Sequence, residues 1–327
     1  MIRHLLSVFN HISAAAQTAA FFLFVSVLLL FPTGIKLSAQ GGFFDPADSL
    51  RKDRLFWVAG TGLAAYASVS WGLYHAWYKP FLVSKPRSFN DWGEWRHMDK
   101  FGHIYSGYIQ CGLIHHTARW TGMSKNQALW AGVAGSLITQ SSIEVWDGFS
   151  QGWGFSWADM AANFLGTGLY FGQEWWFGQQ KVFLKFSAIS DPDPNDPVIR
   201  ERILSLFGNN PAQKLLKDYN HQTYWLSFHP GIWKPRWLLL SLGVGAQGLY
   251  GGFANEWKTD MGVLVRPDPL LYPRISQYYL SADLDLTKIP VKNQFLRSLF
   301  RVLNIVKMPA PALEFTSQGR VHARWLR

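Results

Sequence analysis

Four stretches of the chain contain no aspartate, glutamate, lysine or arginine, and each is long enough to form a helix. They are residues 55–78, 101–118, 126–143 and 160–173. The first is long enough to cross a bilayer, since a spanning helix needs about 20 residues, and the next two lie at the lower limit. Small residues recur within the stretches, which suits close helix contacts in lipid. The pattern predicts a membrane-associated bundle of about four helices, and a buried bundle in a soluble protein is the alternative.

Beyond the helices the apolar residues change from a helical period to alternation, which is typical of β-strands. Three prolines and three aspartates between positions 191 and 197 mark the change, and a helix is predicted at residues 198–218. Strand patterns follow at residues 223–229, 237–250, 261–266, 276–287, 312–316 and 320–326, interrupted by a basic amphipathic helix at 293–307. The predicted fold class is therefore α+β: an N-terminal membrane-associated helical bundle followed by a small antiparallel β region with an amphipathic helix.

The first 39 residues have the pattern of a secretory signal peptide. Arg3 and His4 precede an apolar run at residues 19–31, and small residues follow at 37–40. Because the run is shorter than the roughly 20 residues of a spanning helix, we predict cleavage after Ala39, with retention as an anchor as the alternative. The only cysteine, Cys111, lies far from this point, which argues against an acylated lipoprotein N-terminus.

These boundaries divide the chain into four parts. Residues 1–39 form the signal peptide and residues 40–190 the helical membrane-associated module. Residues 191–219 form a linker with an amphipathic helix, and residues 220–327 form a basic antiparallel β region.

Composition and charge indicate a membrane partner. Only 16% of the residues are charged, against about 25% in a typical soluble domain. The chain carries 31 lysines and arginines against 21 aspartates and glutamates. Once the predicted signal peptide is removed, the whole excess lies from residue 181 onwards, with 19 basic and 11 acidic residues. A basic exported region favours an anionic lipid surface as its partner. Nucleic acid is not predicted as a partner, because no motif that reads nucleic acid accompanies the charge.

Polar residues at helical spacing fall inside the most apolar part of the chain. On a helix, residues three or four apart share a face, so each pair would point in one direction. Ionisable groups in apolar helices are seldom kept without a partner or a task. The pairs are Asp99 with His103, Glu144 with Asp147, and Asp159 with Asn163.

The order of these residues resembles a known family. The motifs are Asp99-Lys-x-x-His103 with Tyr105-Ser106, Glu144-x-x-Asp147-Gly148, and Phe155-Ser-x-x-Asp159-x-x-Ala162-Asn163-x-x-Gly166. They resemble the YfiM family of bacterial envelope proteins and are similar to the skeleton of VanZ-like membrane proteins. The resemblance implies that the polar positions belong together and that the protein lies in the cell envelope. The signal peptide and the long C-terminal half depart from the VanZ-like pattern, which favours the outer membrane or its periplasmic face over the inner membrane.

The polar residues allow three roles. Asp99, His103, Glu144, Asp147 and Asp159 could bind a divalent metal ion through oxygen and nitrogen atoms. The same five residues, together with Asn163, are the candidates for acid and base catalysis. In the third role the polar groups only hold the helices together, with Lys100 neutralising a carboxylate. No cofactor is predicted, since the sequence lacks the Gly-x-Ser-x-Gly, His-Glu-x-x-His and phosphate-loop motifs.

The sequence thus predicts a non-enzymatic envelope protein with a buried polar cluster and a basic β region that contacts lipid headgroups or a partner. One alternative is a metal-dependent enzyme that acts on a lipid or a lipid-linked substrate. The other is an accessory subunit of an outer-membrane assembly, with an outer-membrane protein as its partner.

Overall fold

The computed structural model describes residues 46–75, 85–189, 193–209, 211–259 and 261–325. This part of the chain is a mixed α+β structure, as the sequence predicts. The predicted signal peptide lies outside the described residues.

The chain divides into two compact units. The first consists of the chain up to Asn90 together with Gln110–Ala161, and the second of Asp91–Ile109 together with Ala162–Arg327.

The four helices predicted for the N-terminal half are all present. They are α1 (Lys52–Leu73), α2 (Met98–Trp120), α3 (Lys125–Phe149) and α4 (Trp157–Phe177). Each begins before its uncharged stretch, because the first turn also holds charged residues. Asp99 and Asp159 occupy such first turns, where the positive end of the helix dipole favours a carboxylate. Helices α1 and α3 lie in the first unit, and α2 and α4 continue from one unit into the other.

The prediction of a bilayer-crossing helix at residues 55–78 is wrong for the described part of the chain. Helix α1 ends at Leu73, and no helix among the described residues has the length and apolar character needed to cross a membrane. The physical reason is the composition of α1: Lys52, Asp53 and Arg54 fill its first turn, and glycine, threonine and serine interrupt its apolar residues.

Helix α1 is held inside the first unit by two long-range contacts. The buried guanidinium of Arg54 donates to the carbonyl oxygen of Trp120 at 2.9 Å and lies 4.4 Å above its ring. About three turns further along α1, the Tyr66 hydroxyl donates to Ser142 Oγ at 2.9 Å. The start of α1 is thereby fixed to the end of α2, and its middle to α3.

The second unit contains a six-stranded antiparallel sheet in the order β1-β2-β3-β6-β7-β8, and a two-stranded sheet of β4 and β5. The strands are β1 (Val182–Ala188), β2 (Gln222–Phe228), β3 (Leu238–Gln247), β4 (Trp257–Lys258), β5 (Leu264–Val265), β6 (Ile275–Leu284), β7 (Ala312–Thr316) and β8 (Val321–Arg324). All six predicted strands are present, although 261–266 is reduced to two residues. Strand β1 is an addition, in a stretch that the sequence assigned to the helical module.

The single helix predicted at 198–218 is instead two helices, α5 (Pro197–Phe207) and α6 (Pro211–Lys217). The break falls at Gly208, whose φ of +80° is a backbone conformation that favours glycine. Helix α5 buries Ile199, Ile203 and Phe207 at helical spacing, and these form an apolar cluster with Tyr250. The amphipathic prediction is therefore correct for the first of the two helices.

The basic amphipathic helix predicted at 293–307 is α7 (Gln294–Leu303). It ends four residues early, because residues 305–307 leave the helix and run beside strand β1. The Phe186 N–H donates to Ile305 O at 3.1 Å, and the Lys307 N–H donates to Phe186 O at 2.9 Å. The outer edge of β1 is thereby paired.

Candidate functional site

The six residues singled out from the sequence divide equally between the two units. Asp99, His103 and Asn163 belong to the second unit, and Glu144, Asp147 and Asp159 belong to the first. Within the second unit, the first turns of α2 meet α4 and the segment that leads into β2.

The first turn of α2 carries a buried ion-pair cluster. The Lys100 ammonium, in a side chain that is almost fully buried, lies 2.7 Å from Asp91 Oδ2 and 2.8 Å from Asp99 Oδ2. The other carboxylate oxygen of Asp99 accepts a hydrogen bond of 2.8 Å from the Tyr219 hydroxyl. One lysine therefore forms ion pairs with two carboxylates, and such pairing is the condition under which charges are tolerated inside a protein.

His103 lies one turn after Asp99 and faces it, as their spacing predicts. The two side chains are 3.8 Å apart, from His103 Nε2 to Asp99 Oδ1. The other ring nitrogen, Nδ1, lies 3.0 Å from Oδ1 of Asn163 in α4, a fully buried residue. Because the amide oxygen is only an acceptor, this hydrogen bond places a proton on Nδ1 and fixes the orientation of the ring.

The electrostatic environment keeps Asp99 ionised. Burial raises the pKa of its carboxyl, but His103, Lys100 and the hydrogen bond from Tyr219 together lower the pKa below its ordinary value. In this surrounding the carboxylate is a stable anion that can anchor its neighbours. It is not set up to exchange a proton near neutral pH.

The donor atoms of this cluster are mostly committed to each other. Asp99 and His103 could offer a metal ion one oxygen and one nitrogen, a combination that suits a divalent cation. However, Lys100 and Tyr219 already donate to the two oxygens of Asp99, so a cation would have to displace an ammonium and a hydroxyl. The contacts favour the role in which the polar groups hold structural elements together.

The remaining candidates lie on two helices in the first unit. Helix α3 buries a stripe of residues at intervals of four: Ser136, Gln140, Glu144 and Gly148. Asp147 is half-buried one turn after Glu144. Asp159 is buried in the first turn of α4. Ser156 caps this helix, because its Oγ accepts a hydrogen bond of 3.0 Å from the Asp159 N–H. The buried stripe of α3 is therefore polar, whereas the buried side of an ordinary packed helix is apolar.

A strained turn precedes α2 in the second unit. Trp95, Arg96 and His97 have φ values of 49°, 51° and 67°, which are uncommon for residues other than glycine. The turn is fixed from outside: the Trp95 N–H donates to Gly252 O at 2.8 Å, and Arg96 Nε donates to Ser276 Oγ at 2.8 Å. Tertiary contacts therefore hold a backbone conformation that the local sequence would not choose.

Glu94 begins this turn and is a carboxyl with an unusual environment. It packs so closely on Gly252 that a Cβ at that position would overlap its carboxylate. Burial, together with the charges of Asp99 and Asp91, raises its pKa to about 7, against the lowering effect of Lys100 and Arg274. Ionisation of Glu94 near neutral pH would add a third carboxylate beside a single lysine.

Replacing Glu94 with glutamine is expected to stabilise the protein above pH 7 and to have little effect at pH 4. The raised pKa means that the folded state holds this proton more tightly than the unfolded chain, so its stabilising effect is complete below the ordinary value of 4.5 and is lost as the pH rises through about 7. At about 1.4 kcal/mol per pKa unit the full shift corresponds to about 3 kcal/mol, and partial exposure reduces our expectation to about 2 kcal/mol.

Urea unfolding at pH 4 and pH 8.5 measures this difference. The control is Glu201→Gln, which neutralises an exposed glutamate and should change stability equally little at both pH values. A Glu94→Gln variant with the same stability as the native protein at pH 8.5 would show that this carboxyl carries no burial penalty.

The six-stranded sheet has a polar inner face. Lys185 and Asp283 are both fully buried there, with Nζ and Oδ2 3.0 Å apart. Asp283 also accepts a hydrogen bond of 3.0 Å from Ser227, whose hydroxyl lies 2.6 Å from that of Ser241. Trp225 is buried among them, with its ring packed on Gly243. The sheet thus keeps charged and hydroxyl side chains where a soluble sheet keeps leucine and valine.

The ion pair also shows that the sheet is curved. Strands β1 and β6 are separated by β2 and β3, which corresponds to about 14 Å in a flat sheet at about 4.8 Å per strand. Lys185 of β1 nevertheless contacts Asp283 of β6 directly. The sheet must therefore bend towards the face that carries these side chains, and that face is concave.

The opposite, convex face is apolar. Leu226, Leu242, Leu280 and Leu313 lie opposite one another on four neighbouring strands, and each is between 37% and 47% exposed. A second row on the same face contains Tyr224, Val244, Tyr278, Phe315 and Val321. Because cross-strand partners share a face, the two rows form one apolar surface, which we call the convex leucine face. Phe101 and Tyr105 of α2 pack on its Tyr224 end, and the leucine row and Tyr278, Phe315 and Val321 remain exposed.

The residues that sequence reasoning missed are those whose partners are distant in sequence. Tyr219 and Asp99 are separated by 120 positions, and Lys185 and Asn304 by 119. The only local signal was the alternation of polar and apolar residues in β6, which predicts a strand without saying which face is buried.

Comparison with known proteins gives one match. Residues 89–171 match the model of the family DUF2279, described as a predicted periplasmic lipoprotein. This segment includes all six candidate residues, and the rest of the chain lies outside it. The match fits a bacterial envelope protein, as the resemblance to YfiM and VanZ-like proteins implies, without distinguishing between those families. No curated protein and no solved structure matches the chain.

Proposed function

We propose that the protein is a non-enzymatic component of the bacterial cell envelope that rests against lipid through its convex leucine face. In this proposal the polar cluster of Asp99, Lys100 and His103 organises the helices and does no chemistry. The observation that carries the proposal is the reversed polarity of the sheet, with leucines outside and an ion pair inside.

The exposed leucine rows favour lipid as the neighbour. Exposed apolar patches beyond a few hundred Å² are rare on monomeric soluble proteins and mark contact surfaces. Leu226, Leu242, Leu280 and Leu313 alternate with polar residues that point inward, so the convex leucine face offers few hydrogen-bonding side chains to a protein partner. A surface with few polar groups suits acyl chains, whereas protein interfaces carry a polar rim.

Helix α4 repeats the same polarity within the second unit. Its buried side includes Asn163, Thr167 and Gln173, while Leu165 and Trp176 are 61% and 77% exposed. Tryptophan is enriched at the boundary between acyl chains and headgroups, because its ring is apolar and its N–H is polar. Two different kinds of element in one unit thus place polar groups inside and apolar groups outside.

The outer membrane or its periplasmic face is our proposed location. The description of the DUF2279 family as a predicted periplasmic lipoprotein supports the periplasmic side. The lipid anchor of that description is not part of the proposal, since Cys111 is fully buried in α2. The contact that we propose is made by side chains of the folded second unit.

Flotation with phospholipid vesicles tests this function. We expect the full chain to float with the vesicles, and the variant Leu242→Asp/Leu280→Asp to bind at least about tenfold more weakly. The reason is that two carboxylates in the middle of the convex leucine face would have to be dehydrated against acyl chains.

The control variant Gln179→Asp/Gln318→Asp adds the same charge at exposed polar positions and should float like the native protein. Circular dichroism confirms that the variants are folded. Native protein that stays with the unbound fraction, or a folded leucine variant that floats normally, would contradict the proposal. Lack of vesicle binding together with recovery in a complex after mild detergent extraction would favour the accessory-subunit alternative.

A further inference from the structure

Helix α7 of the second unit is short and strongly two-sided. At 100° per residue its apolar residues share one side and its polar residues the other. The apolar side consists of Phe295, Leu296, Leu299, Phe300, Val302 and Leu303, and the polar side of Gln294, Arg297, Ser298 and Arg301. A helix of this kind normally packs its apolar side on a core.

Helix α7 buries its apolar side only in part: Leu299, Phe300 and Val302 are half-buried. None of its residues is fully buried, and Phe295, Leu296 and Leu303 are 48%, 38% and 41% exposed. Leaving such a side in water forgoes the burial that stabilises a typical surface helix. The helix therefore needs another apolar surface to cover it.

The ends of the helix are nevertheless firmly held. Asn293 caps the first turn by accepting a hydrogen bond from the Leu296 N–H at 3.1 Å. At the other end the buried Asn304 accepts hydrogen bonds from Lys185 Nζ at 3.2 Å and from the Leu286 N–H at 2.9 Å. The position of α7 is thus fixed by the polar interior of the sheet, while part of its apolar side stays exposed.

The charge around α7 is of one sign. Between Asp285 and Glu314 the chain contains no acidic residue and five basic ones. Lys288, Lys292, Arg297 and Arg301 are exposed, and only Lys307 is buried. A helix with a partly exposed apolar side and exposed cations beside it is complementary to an anionic membrane surface, where the cations meet phosphates and the apolar side enters the acyl region.

The segment that follows helix α7 runs beside strand β1 of the sheet. Val306, which is 38% exposed, pairs with Phe186 of β1. Phe186 lies opposite Tyr224 and so belongs to the second row of the convex leucine face. Tyr105 of α2 packs on Phe186 and its hydroxyl donates to Ile305 O at 3.1 Å, so α2 covers this end of the row and the exposed Val306 lies beside it.

We infer that α7 lies in the headgroup layer of a bilayer that contains anionic phospholipid, with Arg297 and Arg301 on the phosphates. This inference rests on the proposed function and adds the lipid class and the element that selects it. The convex leucine face would supply contact with any bilayer, and α7 the preference for negative charge.

Flotation with two kinds of vesicle tests the inference. We expect the native chain to bind vesicles of zwitterionic phosphatidylcholine, and to bind more tightly when anionic phosphatidylglycerol is added. Arg297→Gln/Arg301→Gln should reduce binding to the anionic vesicles by about thirtyfold at low salt and leave binding to the zwitterionic vesicles unchanged. Glutamine keeps the helix propensity close to that of arginine, so the change is mainly one of charge.

The control is Arg236→Gln/Arg266→Gln, which removes two other exposed arginines of the second unit. An equal loss in this control would mean that only net charge matters and would overturn the inference, as would equal binding of the native chain to both vesicle types. Those two results leave the leucine contact intact, because the proposed function fails if the native chain does not bind vesicles or if its binding to zwitterionic vesicles does not depend on Leu242 and Leu280.

Discussion

Replacing Lys185 with methionine is expected to lower the free energy of unfolding by about 3–5 kcal/mol, one of the two largest effects that the structure predicts. Its ammonium is fully buried, 3.0 Å from Asp283 Oδ2 and 2.6 Å from the Leu284 carbonyl oxygen. Burial lowers the pKa of the ammonium, while Asp283 and Asp285 act to raise it. Removing the lysine leaves the buried Asp283 carboxylate without its direct ion-pair partner; the buried Lys307 nearby compensates only part of its charge, and the remainder is the main cause of the loss.

The double variant Lys185→Met/Asp283→Leu separates the ion pair from the packing. If the loss comes from the uncompensated carboxylate, the double variant should be more stable than Lys185→Met alone, although the Ser227 hydroxyl and the Met308 N–H lose an acceptor. Lys258→Met, at an exposed position of β4, should change stability by no more than about 0.5 kcal/mol.

Urea unfolding followed by circular dichroism measures all three variants. A cost below about 1 kcal/mol for Lys185→Met would mean that water reaches the inner face of the sheet. That result would also remove the reversed polarity on which the proposed lipid contact depends.

The sequence predicts the elements of this fold well because periodicity is a local property. The alternation in residues 312–316 coincides with strand β7, and the four uncharged stretches coincide with α1 to α4. The errors lie where two elements follow each other closely in the sequence. Gly208 divides the predicted helix at 198–218, and β1 begins at Val182 soon after α4 ends at Phe177, so its apolar residues are not separated from the helical region before them.

The sequence could not predict which face of the sheet is buried. In β6 the residues Gln277, Tyr279, Ser281 and Asp283 alternate with Tyr278, Leu280 and Ala282, and the usual rule would place leucine inside. The reverse arrangement depends on Lys185 reaching Asp283 across the two intervening strands β2 and β3, which requires the curvature of the sheet. A contact between residues 98 positions apart leaves no trace in a local pattern.

The candidate site was predictable only in part for the same reason. The spacing of Asp99 and His103 on one helix predicts that they face each other, and the structure confirms it at 3.8 Å. Their other partners, Asn163 and Tyr219, come from α4 and from the segment before β2, so only tertiary structure joins them. That the polar groups of both units act together stays a prediction.

The second large effect is expected for Gly166→Ala, at the contact between α2 and α4 within the second unit. A Cβ at position 166 would overlap the carbonyl oxygen of Ile104 and lie 2.8 Å from its carbonyl carbon. Both atoms belong to the backbone of α2, so they cannot rotate away as a side chain would. The helices would have to separate, and we expect a loss of about 3 kcal/mol or more in the free energy of unfolding.

Gly168 provides a matched control in the same helix. No atom lies within 4 Å of a Cβ placed there, so Gly168→Ala should be neutral or should stabilise the protein by up to about 1 kcal/mol through helix propensity. If Gly166→Ala and Gly168→Ala changed the free energy of unfolding equally, α2 and α4 would not be in contact at position 166.

The Gly166 contact also bears on the polar site. Asn163 lies one turn before Gly166 in α4, and its hydrogen bond to His103 exists only because the two helices approach this closely. We therefore expect Gly166→Ala, but not Gly168→Ala, to change the NMR signals of the His103 ring as well as the stability. If Gly166→Ala destabilises the protein without altering those signals, the histidine is oriented by α2 alone, and Asn163 does not belong to the cluster that holds the helices together.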